Sequence, residues 1–265
     1  MAARSPQQFA EAAGHPFTDG AAHMWLGLSR EPAERDELEL LSASERHRVR
    51  VLRGDASISY ATAHSALRRI LGGYLDADPA EIRLGRTLCP ECADPSHGPP
   101  AVVWPPTGLR FNLSRTDGSW LLAVTEGRPV GADLETDPHI DPLETAALVC
   151  TEREHRLLRS LAGPDQQRDA FLRCWTRKEA VVKAVGVGLI ADLSAIDVFP
   201  ELPGPVIVDY GIAPGPDSWR LEEADFGPGF HTVLARTRDS TGPVRTFRYG
   251  TDPLPAAMAA AAGEQ

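Results

Sequence analysis

The sequence predicts an α+β fold built as a pseudo-twofold pair of similar α/β halves with an active-site cleft between them. Three observations point to it. Leu41 to Gly54 (LSASERHRVRVLRG) resembles Cys150 to Gly163 (CTEREHRLLRSLAG) at an offset of 109. Ala63 to Leu75 (AHSALRRILGGYL) resembles Arg177 to Leu189 (RKEAVVKAVGVGL) at an offset of 114. After each long apolar helix comes a segment that reads as two antiparallel strands, and repetition of a supersecondary unit in matching order is the mark of an internal repeat. Chance similarity of amphipathic helices is the competing explanation. Two such halves packed face to face leave a cleft, a common place for a ligand.

The elements follow in order. The first 20 or so residues are polar and irregular. In Leu41 to Gly54 a serine (Ser42) stands three residues before Glu45, the capping-box spacing that opens a helix; Thr151 and Glu154 repeat it in the second copy. Residues 89–108 and 199–219 are rich in Pro and Gly and read as loops with short extended pieces. Arg110 to Gly127 and Trp219 to Thr237 alternate as strand pairs. The junction falls near Gly127-Arg128-Pro129, giving halves of 1–128 and 129–250 and a loose tail of 251–265.

The chain has 265 residues, 42% hydrophobic and 24% charged, ordinary for a folded protein. A net charge of −10 argues against a nucleic-acid partner, since phosphate neutralisation needs a basic face. The first residues lack the apolar core of a signal peptide, and no run approaches the roughly 18–20 apolar residues of a membrane span. Four cysteines (Cys89, Cys92, Cys150, Cys174) do not make a disulfide scaffold, so a reducing cytoplasm is expected.

Two short motifs carry chemistry. In VGADLE (Val130 to Glu135) a strand puts Asp133 and Glu135 on one face and Val130, Ala132 and Leu134 on the other. Adjacent carboxylates repel, and oxygens at i and i+2 suit a hard cation such as Mg²⁺; a solvated strand edge is the plainer alternative. In WTRKEAVVK a helix aligns Trp175, Glu179 and Lys183, while Val181, Ala184 and Val185 supply the core face. An ordinary Glu179–Lys183 pair explains that pattern as well. A glutamate between Lys178 and Lys183 on a mostly apolar helix also fits a third carboxylate on a metal, with lysines meeting phosphate oxygens. The acidic strand and the Lys-Glu-x-x-x-Lys helix together are far more specific than either alone.

With GADLE and WTRKEAVVK in order, and FNLSRTDG, CPECADPSHGPP and AHSALRRILG as weaker support, residues 41–236 resemble a 4′-phosphopantetheinyl transferase of the surfactin-synthetase-activating type. The resemblance implies transfer of 4′-phosphopantetheine from coenzyme A to a serine of an apo acyl or peptidyl carrier protein, with release of 3′,5′-ADP. It implies Mg²⁺ (or Mn²⁺) on Asp133, Glu135 and Glu179, with Glu179 and Lys183 catalytic. Coenzyme A would meet Arg48, Arg53, Ser114, Arg115, Lys178 and Lys183. The protein is expected to be a cytoplasmic monomer with no membrane or nucleic-acid partner.

The chain departs from the family pattern at three places. Arg115 stands where a histidine is usual, Pro99 follows His97-Gly98 where a lysine is usual, and Ser59 lies where an arginine is frequent. These departures leave two rival readings open: a non-catalytic carrier- or coenzyme-binding module, or a transferase using another pyrophosphate donor. Cys89-x-x-Cys92 with His97 has the makings of a zinc site but no evident fourth ligand, and a structural turn explains it equally.

Overall fold

The computed structural model describes residues 17, 19–29, 31–116, 118–136, 142–188, 191–212 and 215–255. Leu189, the end of the second repeat segment, lies outside them, as do most of the first 20 residues and 256–265.

Four layers make up the molecule. The helix α3 (Asp55–Leu75) covers one face of a first sheet, whose strand order is β10-β1-β5-β4. Those strands are β1 (Ala22–Leu28), β4 (Leu109–Thr116), β5 (Ser119–Glu126) and β10 (Val244–Arg248). A second sheet, of order β6-β9-β8-β7, comprises β6 (Val130–Glu135), β7 (Val206–Asp209), β8 (Ser218–Glu223) and β9 (His231–Thr237). Its far face carries α6 (Pro164–Val185). Each helix closes its own core: Ala63, Leu67, Ile70 and Leu71 against Trp25, Trp120 and Leu122 in one, Phe171, Val181 and Val182 against Trp219, Leu221 and Val233 in the other. Between the sheets, Met24, Leu26, Leu121 and Ala123 meet Val130, Ala132, Leu134 and Leu234.

That central layer explains why VGADLE is so apolar on alternate residues: Val130, Ala132 and Leu134 bury against the first sheet, leaving Gly131, Asp133 and Glu135 to face α6. Gly131 is required there. A Cβ on it would lie 2.0 Å from the Ala180 carbonyl oxygen, so only glycine lets strand and helix approach.

Both expected capping boxes form. Ser42 opens α2 (Ala43–Val51) and Thr151 opens α5 (Glu152–Ser160), each hydroxyl accepting from the N3 backbone while the glutamate returns to the cap. α6 stops at Gly186, whose left-handed φ of 84° glycine alone adopts without cost. The strand pairs β4–β5 and β8–β9 are antiparallel, as alternation predicts. Smaller elements complete the chain: α1 (Arg35–Leu40), α4 (Pro142–Val149), and the separate hairpin of β2 (Arg83–Arg86) and β3 (Pro100–Trp104).

The chain end does not stay with the second sheet. β10 returns to pair in parallel with β1, so residues 244–248 complete the first sheet although they follow the 128/129 junction by more than a hundred residues. Tyr249 and Leu254 pack against the first core. Among the described residues no helix is long and apolar enough to cross a membrane.

Candidate active site

β6 is an edge strand of its sheet and β4 an edge strand of the other, and the two edges lie side by side. Asn112 on β4 accepts the Ala132 backbone N–H at 3.2 Å, which fixes the register between the halves. Two residues on, the Ser114 hydroxyl donates to Asp133 Oδ1 at 2.8 Å. The Lys183 ammonium, reaching from α6, donates to the same Asp133 oxygen and to Ser114 Oγ at 3.0 Å. Asp133 is 2% exposed, and its second oxygen, Oδ2, is buried with no partner.

Glu135 sits further along the strand and accepts the Trp175 indole N–H at 2.8 Å. Burial, and then the charge of Asp133, push its carboxyl up to about 7, against the opposing pull of Trp175 and Lys183. Glu179 is raised too, by burial first, with Lys183 opposing and Asp133 adding to the shift. The structure therefore brings together Asp133, Glu135, Glu179, Lys183 and Ser114. Three half-buried or buried carboxylates share one ammonium, which is a deficit of positive charge. That deficit and the orphaned Asp133 oxygen fit a divalent cation. The carboxylates do not all converge to within 4.8 Å; Lys183 stands among them on Asp133.

Lys178 is a correction. Its ammonium points to the other side of α6, fully buried, where it pairs with Glu154 at 2.7 Å and donates to the carbonyls of Leu193 (2.8 Å) and Ile196. One residue is 100° around a helix, so neighbours in sequence cannot both face the strand. Lys178 ties α6 to α5 and does not reach the acidic site.

The expected arginines fall in different places. Arg115 projects from the face of β4 opposite to Ser114 and lies 5.0 Å over the Tyr60 ring. Burial, offset in part by Tyr60, lowers its pKa, and the nearby charge of Arg48 adds to that. Arg115 and Tyr60 line a cleft of about 1090 Å³ between α3 and the β2–β3 hairpin, with His64 stacked on Tyr60 at 3.9 Å. Arg48 and Arg53 are exposed and are not among the residues lining it. Arg83 and Arg86 do line it, and sequence reading missed them; two arginines in RLGR just before the cysteine loop were the available signal.

Residues 129–235 match the family model described as the 4′-phosphopantetheinyl transferase superfamily. The chain is 38% identical over 143 residues to a 4′-phosphopantetheinyl transferase, HetI, of Nostoc sp., covering 52% of this chain and 56% of that protein. It is 28% identical over 150 residues to the Bacillus subtilis 4′-phosphopantetheinyl transferase (56% and 61% of the two chains). A phosphopantetheinyl transferase of Thraustochytrium sp. is 31% identical over 183 residues (62% and 59%). The chain thus spans between a half and two thirds of these relatives.

Proposed function

We propose that this protein is a Mg²⁺-dependent 4′-phosphopantetheinyl transferase of the surfactin-synthetase-activating type, acting from coenzyme A on a serine of an acyl or peptidyl carrier protein. The observation that carries the reading is the set of Asp133, Glu135, Glu179 and Lys183 at the seam of the two sheets, inside the segment that matches the superfamily.

In this reading Asp133, Glu135 and Glu179 hold the metal, which when bound supplies positive charge against the pyrophosphate. Lys183 and Ser114 bind phosphate oxygens, Lys183 swinging from Asp133 to do so. The carrier serine oxygen attacks the β-phosphate, the bond to the nucleotide phosphate breaks, and 3′,5′-ADP leaves. Glu179 takes the serine proton, directly or through a water; burial raises its pKa, which favours that role. Arg115, Arg83 and Arg86 in the large cleft meet the nucleotide phosphates, and the Tyr60–His64 stack offers a surface for its base.

The test is to incubate the protein with coenzyme A, Mg²⁺ and a panel of apo carriers and to weigh each carrier. A gain of one phosphopantetheine supports the proposal; no gain with any carrier overturns it. Calorimetric binding of coenzyme A without turnover would instead favour the non-catalytic module that the substitutions at Arg115, Pro99 and Ser59 bring to mind.

A further inference from the structure

The loop between β2 and β3 holds two thiols and an imidazole that the transfer chemistry does not use. Cys89-Pro90-Glu91-Cys92 folds into a tight turn in which the Ala93 N–H donates to the Cys89 carbonyl at 2.9 Å and the Cys89 N–H to the Asp94 carbonyl at 3.2 Å. Ala93 takes a left-handed φ of 57°, which a residue with a Cβ adopts only when the surroundings demand it. That turn aims backbone N–H groups at sulfur: those of Glu91 and Cys92 at Cys89, and that of Asp94 at Cys92. Cys92 Sγ lies 3.4 Å from His97 Nδ1.

Zinc takes cysteine as the thiolate and histidine as the neutral imidazole. With Zn–S near 2.3 Å and Zn–N near 2.05 Å, tetrahedral geometry separates a sulfur and a nitrogen ligand by roughly 3.6 Å. The Cys92–His97 distance is close to that. We infer that Cys89, Cys92 and His97 form a zinc site, with the fourth position taken by water. Binding replaces the two thiol protons by the ion and releases them to solvent.

Three donors do come together more tightly elsewhere: Cys150, Glu154 and Cys174, all within 4.8 Å of one another. There the Lys178 ammonium already serves as the cation, and Glu154 is further satisfied by the backbone N–H groups of Thr151 and Val198. The loop site is wider than that limit, but Cys92 and His97 are exposed, so the ring can turn toward Cys89 without disturbing packed neighbours. The loop is also a wall worth clamping. Pro95 and Pro100 line the large cleft, while Thr87, Leu88, Pro90 and Pro99 line an apolar cavity of about 280 Å³ that reaches Lys183. Pro99 rests against Gly186 at the end of α6. A metal at Cys89 and Cys92 would hold that wall in place.

The site stands independently of the transferase reading and is tested without an activity assay. Full-length protein, reduced and freed of metal by a chelator, is loaded with Zn²⁺ alone, passed through a desalting column and its metal counted. About one zinc per chain is expected, with affinity falling at least about tenfold in Cys92→Ser and in Cys89→Ser and unchanged in Cys150→Ala. Cobalt in place of zinc should give a thiolate charge-transfer band that Cys92→Ser removes. No retained zinc, equal retention by Cys92→Ser, or loss on Cys150→Ala would overturn the assignment. Cys92 is exposed, so its replacement leaves the fold as a control.

Discussion

The two long helices, α3 and α6, align in sequence and use their aligned residues differently. Both run beside a capping-box glutamate, Glu45 in one case and Glu154 in the other. Glu45 meets His64 at 3.1 Å and Arg68 at 2.7 Å on the wall of the open cleft. Glu154 meets Lys178, the residue aligned with His64, at 2.7 Å with both side chains wholly buried. The next aligned pair diverges further. Ser65 turns inward and donates to the Thr62 carbonyl at 3.0 Å, while Glu179 faces the carboxylates of β6. Arg69 pairs with Asp36 on α1 at 2.6 Å; Lys183 pairs with Asp133. One helix keeps its polar groups satisfied around a binding cleft, and the other gathers an excess of carboxylate. Residues aligned in sequence thus end in different surroundings on the two helices.

The largest expected break in that comparison is at the carboxylates. Asp133→Ala or Glu179→Ala should cut transfer to a carrier by on the order of 10³-fold or more while leaving thermal unfolding cooperative, read by mass and by circular dichroism. Wild-type rates in either variant would refute the metal assignment. Next comes Lys178→Met, which strands Glu154 in the core. Denaturant unfolding should show a loss of about 3–5 kcal/mol, with Lys178→Met/Glu154→Gln recovering much of it. Lost transfer at unchanged stability would return Lys178 to the active site.

Acid sharpens the comparison on the other side. Burial raises the Glu45 carboxyl, but hydrogen bonds from His64, Ser42 and Arg68 outweigh it and hold it down to about 2, below its ordinary 4.5. Because the folded value is the lower one, its contribution is present above pH 4.5 and fades as pH falls toward 2. Glu45→Gln should flatten that part of the stability–pH curve by about 1–3 kcal/mol. The smallest effect is Arg115→Ala, expected to weaken coenzyme A binding about tenfold in calorimetry with little change in stability. Unchanged affinity would take the nucleotide out of the large cleft.

The motif helix and acidic strand were legible because each follows a period. Asp133 and Glu135 share a face because a strand alternates, and Glu179 and Lys183 share one because a helix repeats near every fourth residue. Both capping boxes, the two strand pairs and the stop at Gly186 are local in the same sense. β1 escaped notice, since AHMWLGL is buried along nearly its whole length and shows no alternation. β10 escaped because its partner β1 lies more than two hundred residues away.

By itself, then, the sequence determined which side chains could act together within one element, because spacing sets their direction. Only the tertiary structure decided between elements. It turned Lys178 into the core, since a fully buried Glu154 required a cation there. It brought Ser114 across from the other sheet to Asp133, and set Arg83 and Arg86 around a cleft that no linear pattern outlines. Contacts across layers depend on where edges meet, and that is fixed by packing the two apolar sheet faces, not by the order of residues along either strand.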